Sequence, residues 1–118
     1  MDRKLAVRLY QFGERAKSEL IVVSQLLMFL GGLREEERVG GKKTVLQVMD
    51  LVRNENQMAV RDTGSREFTT VGNKIGEAIS LTESERYGEA SVCIGDAISA
   101  ATTAAMTGWE TLEKDGLL

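Results

Sequence analysis

Residues 82–112 read TESERYGEASVCIGDAISAATTAAMTGWETL. Within this stretch Tyr87, Ser91, Ile94, Ile98, Ala101, Ala105, Gly108 and Leu112 recur at alternating steps of four and three. A heptad spacing of this kind gathers all eight on one face of a single helix. Thr82-Glu83-Ser84-Glu85 has the form of a capping box, in which the threonine hydroxyl and the glutamate satisfy backbone donors of the first turn. A helix is therefore predicted over about residues 83–113. Most of its seam is small, so a partner helix can approach closely. Glu85, Glu89, Asp96, Thr103 and Glu110 fall on the opposite, solvated face.

The first candidate partner lies at the other end of the chain. Leu5, Leu9, Phe12, Ala16, Leu20, Val23, Leu27 and Leu30 again step by three and four, which predicts a helix over about residues 3–30. Asp2 suits its N-cap, and Gly31-Gly32 suits its end. From Leu20 to Leu30 only Ser24 and Gln25 are polar. Such a stretch is apolar nearly all round the helix and needs cover on more than one side.

Between these two helices the reading is less uniform. Leu33 to Lys43 is charged and contains Gly40-Gly41, the composition of a connector. A short helix is predicted over about residues 44–56, with Val45, Val48, Met49 and Val52 inward. Residues 57–80 read in two ways. In one, the short helix runs on to Arg61 and a new helix begins near Ser65, with Phe68, Val71, Ile75, Ala78 and Ile79 on one side. In the other, Asp62-Thr63-Gly64-Ser65 turns a β-hairpin between Met58-Val60 and Phe68-Val71. The helical reading is preferred, because an isolated two-stranded hairpin is marginal in water.

The fold class that follows is all-α: one helical domain over residues 1–118, dominated by two long antiparallel helices. At 118 residues the chain suffices for one core and not two. Aromatic residues are only 5%, so that core is aliphatic and alanine-based, and with no proline the glycines supply the punctuation.

Composition excludes several function classes. Residues 1–61 hold eleven Lys/Arg against eight Asp/Glu, and residues 62–118 four against ten. This asymmetry suits packing between the two ends and is not the concentrated basic field that non-specific DNA binding needs. The lone Cys93 cannot close an intramolecular disulfide, and the N-terminus has no signal-peptide pattern. The longest apolar run, Leu20–Leu30, is too short to span a bilayer. A cytoplasmic protein is expected.

The absence of histidine removes the commonest general base and metal ligand, so no Ser/His/Asp or Cys/His constellation exists. Cys93 sits among small residues and reads as an inert hydrophobe. Gly40-Gly41-Lys42-Lys43-Thr44 echoes the end of a phosphate-binding loop, but Glu36 stands where the first glycine is needed and Lys43 where the hydroxyl is needed. Glu85, Glu89 and Asp96 share a face, the best case for a metal-dependent nucleotide hydrolase of the helical-bundle type, but that face is the one opposite the seam. A helix-turn-helix over about residues 71–92 would make the chain a DNA-binding regulator. It would, however, present Glu83, Glu85 and Glu89 to the phosphates.

What remains is interaction. The leading expectation is a non-catalytic homo-oligomer, an adaptor, accessory subunit or small chaperone-like protein, with no catalytic residue, cofactor or metal ligand. A homodimer with a further protein partner is expected; nucleic acid and a membrane span are not. The expected interface is Leu20, Val22, Val23, Leu26, Leu27, Phe29 and Leu30, with Ala101, Ala105 and Gly108 as the alternative surface. Far-UV circular dichroism of the purified chain checks the fold class: a dominantly helical spectrum is expected, and a strand-rich one would contradict it.

Overall fold

A computed structural model describes residues 1–117, and every described element is a helix. They are α1 (Arg3–Gly31), α2 (Glu35–Thr63), α3 (Arg66–Glu83) and α4 (Tyr87–Lys114). The four form an up-down-up-down bundle measuring 54 × 22 × 18 Å. Neighbouring backbones approach along four edges, α1 with α4, α3 with α4, α1 with α2, and α2 with α3. The diagonal is bridged by side chains, where the Phe12 ring meets Phe68 edge-on at 6.3 Å between centroids.

Local chemistry explains the boundaries. The Asp2 carboxylate accepts from the Lys4 amide at 3.2 Å and caps α1. Gly64, at φ 65°, ends α2 in the left-handed conformation that glycine adopts without strain. The Ser65 hydroxyl then accepts from the Glu67 amide and caps α3.

Two boundaries differ from the sequence reading. The charged segment after Leu33 is helical from Glu35, so α2 is as long as α1 and the short helix of 44–56 is only its middle. Glu35, Glu36 and Glu37 occupy the first turn of α2, where negative charge complements the helix dipole, and Glu37 accepts from the Arg34 amide at 3.3 Å. Gly40 and Gly41 lie inside the helix, and Gly41 leaves room for the Leu33 and Leu30 methyls.

The second difference is the start of α4. Thr82 does not cap it. The α3 stripe of Phe68, Val71, Ile75 and Ala78 extends one turn to Thr82, which is fully buried. Its hydroxyl donates to the Ala78 carbonyl at 2.7 Å. The Arg86 amide bonds back to the Leu81 carbonyl at 2.8 Å, a Schellman-type ending, with Glu85 at φ 60° in the place usually held by glycine. The chain therefore turns over residues 84–86, and α4 begins at Tyr87. The hairpin alternative finds no strand among the described residues: 57–63 belong to α2 and 66–80 to α3.

The α1/α4 edge is the tightest. Gly13 faces the Ala101 carbonyl and the Ala105 amide and methyl, and a Cβ added at Gly13 would lie 2.7–2.8 Å from those atoms. Gly108 sits against the Ala6 carbonyl and the Tyr10 amide in the same way. These neighbours are mostly backbone atoms and cannot swing aside. Gly13→Ala and Gly108→Ala are each expected to destabilise the protein by about 1–3 kcal/mol or more through overpacking. Gly95 has nothing within 4 Å of an added Cβ, so Gly95→Ala is expected to stabilise by about 0.5–1 kcal/mol. Urea denaturation midpoints of the three variants check both signs.

Candidate functional site

The bundle divides the residues expected to form an interface. Leu20, Val23, Leu27 and Leu30 are buried in this chain's own core. Ala101, Ala105 and Gly108 are buried as well, and they pack α4 against α1 rather than facing outward. The seam read from the sequence is real, and its partner is α1 of the same molecule. Leu26 is half-buried, while Val22 and Phe29 remain open at 51% and 68% exposure.

Val22 looks across a groove between α1 and α2. This groove has a volume of about 280 Å³ and is walled by Val22, Val48, Leu51 and Val52. Phe29 lies seven residues beyond Val22 and continues its row on α1. On α2, Leu51 is 57% exposed, and Met58, seven residues on, is exposed too. The outward face of α1 and α2 is thus more apolar than a solvated helical face needs to be.

At one end the groove has a polar floor. Glu19 of α1 and Glu55 of α2 both line it, and both also line a small cavity of about 10 Å³, with Arg15, Phe12, Asn56 and Val71. That volume holds about one water molecule. The Arg15 guanidinium pairs with Glu55 from the solvent side. Burial and the close approach of Glu55 push the Glu19 carboxyl up to about 7, with Arg15 opposing the shift. Asn56 is only 5% exposed. Its Nδ2 donates to the Phe68 carbonyl at 2.9 Å, and its buried Oδ1 has no partner.

These residues were missed in the sequence, although a signal was there. Phe12, Glu19, Leu26 and Leu33 stand seven apart, so Glu19 occupies a row that is otherwise apolar. Glu55 likewise follows Val48 by seven.

The other candidates separate. Asp96 pairs with Lys74 at 3.5 Å, Glu89 with Arg86 at 2.7 Å, and Glu85 accepts from the Tyr87 hydroxyl at 3.3 Å. No three acidic or thiol side chains converge on a cation position among the described residues. Gly40 to Thr44 are inside α2, so their amides serve the helix and form no phosphate cradle. The 18-residue α3 is about 27 Å long at about 1.5 Å per residue, too long to lie across the 22 × 18 Å section. It runs beside α4 rather than at the wide angle of a DNA-binding helix pair. Cys93 is half-buried, and burial raises its thiol pKa, which makes it a poorer nucleophile. No described helix is long and apolar enough to cross a membrane. No protein-family model, curated protein or solved structure matches this chain.

The Glu19 shift has a definite linkage. Its folded value lies above the ordinary 4.5, so the folded chain binds this proton more tightly than the unfolded chain does. The contribution of Glu19 to stability therefore falls as pH rises from about 4.5 to about 7, and stays low above that window. Glu19→Gln removes the titration. Its stability relative to the parent is expected to rise across that window and level off above it. The gain is on the order of 1 kcal/mol, discounted for the partial solvent access of the pair. Thermal unfolding of both proteins between acid and mildly alkaline pH reads the difference directly.

Proposed function

We propose that this chain is a non-catalytic, homodimeric helical interaction protein, an adaptor, accessory subunit or small chaperone-like protein, that associates through the outward face of α1 and α2. The observation that carries this reading is the pair of exposed apolar rows, Val22 with Phe29 on α1 and Leu51 with Met58 on α2. Side chains of this size contribute about 1.5–3 kcal/mol each when fully buried. Each of the four is about half exposed, so together they forgo about 3–6 kcal/mol, a large share of a domain's stability of about 5–15 kcal/mol. Monomeric proteins rarely leave such side chains exposed in contiguous patches. A second copy is the occupant that fits, because two helices presenting the same rows form a self-complementary surface that closes on a two-fold axis. A further protein partner would bind the assembled dimer. A cytoplasmic location belongs to the same reading.

The proposal locates the contact away from α4. Light scattering at micromolar concentration is expected to give a dimeric mass for the parent and a folded monomer for Val22→Glu and Phe29→Glu. Ala101→Glu, by contrast, is expected to unfold the chain, since Ala101 is fully buried in the core. A monomeric parent would refute the dimer. A dimer that survives both α1 substitutions would refute this face.

A further inference from the structure

At the Glu19–Glu55 floor, carboxylates from two helices border one cavity with a single guanidinium beside them. Two carboxylates face one counter-charge, Arg15, whose side chain is 66% exposed and which pairs directly with Glu55. The independent observation is Asn56. It lines the same cavity, it is more than nine-tenths buried, its Nδ2 is held by the Phe68 carbonyl, and its buried Oδ1 has no partner. A buried amide oxygen is disfavoured without a partner, and beside two carboxylates it completes an all-oxygen set that a cation or a cation-bound water can use.

We propose that Glu19, Glu55 and Asn56 form a site for a hard divalent cation of the Mg²⁺ or Mn²⁺ type at the junction of the small cavity and the α1–α2 groove. The donor set is all oxygen, which hard cations prefer and soft ones do not. Mg²⁺ binds through one or two carboxylates and keeps several waters. Here both carboxylates border the open groove of about 280 Å³, which has room for those waters on the solvent side. The buried Asn56 Oδ1 supplies an oxygen from the core side, directly or through the one water that the cavity admits. Arg15, already largely exposed, swings into solvent when the cation enters. The site does not rest on the proposed dimer, because every ligating oxygen comes from one chain. Three protein oxygens place the affinity at the weak end of oxygen sites, with a Kd of roughly 10⁻⁴–10⁻³ M.

The test uses the full chain, freed of metal with EDTA, with Mn²⁺ as the probe. Substoichiometric Mn²⁺ should selectively broaden the amide NMR signals around Glu19, Glu55 and Asn56. Excess Mg²⁺ should restore them by competition. Glu19→Gln and Glu55→Gln should each weaken Mn²⁺ binding at least tenfold, while Glu89→Gln leaves it unchanged; the near-isosteric amides keep the fold, which circular dichroism verifies. Broadening spread evenly over the surface carboxylates, or binding indifferent to both α1–α2 variants, would overturn the site.

Discussion

The approach of α1 to α4 governs the rest of this structure. Gly13 and Gly108 carry no Cβ where the two backbones meet, and Ala101 and Ala105 carry only a methyl. Small side chains bring the helices together over the first half of α1. Further along, Leu20, Val23, Leu27 and Leu30 need more room, and α2 and α3 complete the enclosure around them. The close edge contributes by contact between backbones and methyl groups, and the wide edge by burial of large aliphatic side chains. Dispersion and area burial thus share the bundle unequally along its length.

That division determines which apolar residues remain outside. A helix offers one stripe to its bundle, and α1 already presents that stripe to α2, α3 and α4. Val22 and Phe29 point past the stripe, and none of the described helices covers them. α2 has the same excess at Leu51 and Met58. The face proposed for association is therefore the remainder left once the core is filled. The acidic floor beneath it has the same origin: Glu19 and Glu55 stand at row positions where α1 and α2 would otherwise meet through apolar side chains.

Much of this was legible in the sequence, for physical reasons. Period-3.6 patterning in residues 5–30 and 87–112 identifies the two long helices, because burial imposes that period and little else produces it. The end of α3 was not legible. Thr82 satisfies a capping pattern and a buried-stripe pattern equally well, and packing against Met49 favoured the second. The glycines at 40 and 41 signalled a connector, yet helix dipole, capping and packing outweighed their intrinsic preference. A small-residue seam on α4 shows that another helix comes close but not which one. The complement was present in Ala6 and Gly13, seven apart on α1 and matched to Gly108 and Ala105. The site at Glu19 and Glu55 joins residues far apart in the chain, and only the antiparallel register of α1 and α2 brings them together.

α4 buries its small-residue seam inside the molecule, and the proposed dimer pairs the surplus apolar rows of α1 and α2 with those of a second copy. Isotope-filtered NOE spectroscopy on mixed labelled and unlabelled chains reports contacts between molecules alone. Intermolecular NOEs are predicted at Val22, Phe29, Leu51 and Met58, with none at Ala101 or Ala105. Intermolecular NOEs at the two alanines, or their absence from the α1–α2 face, would contradict the account.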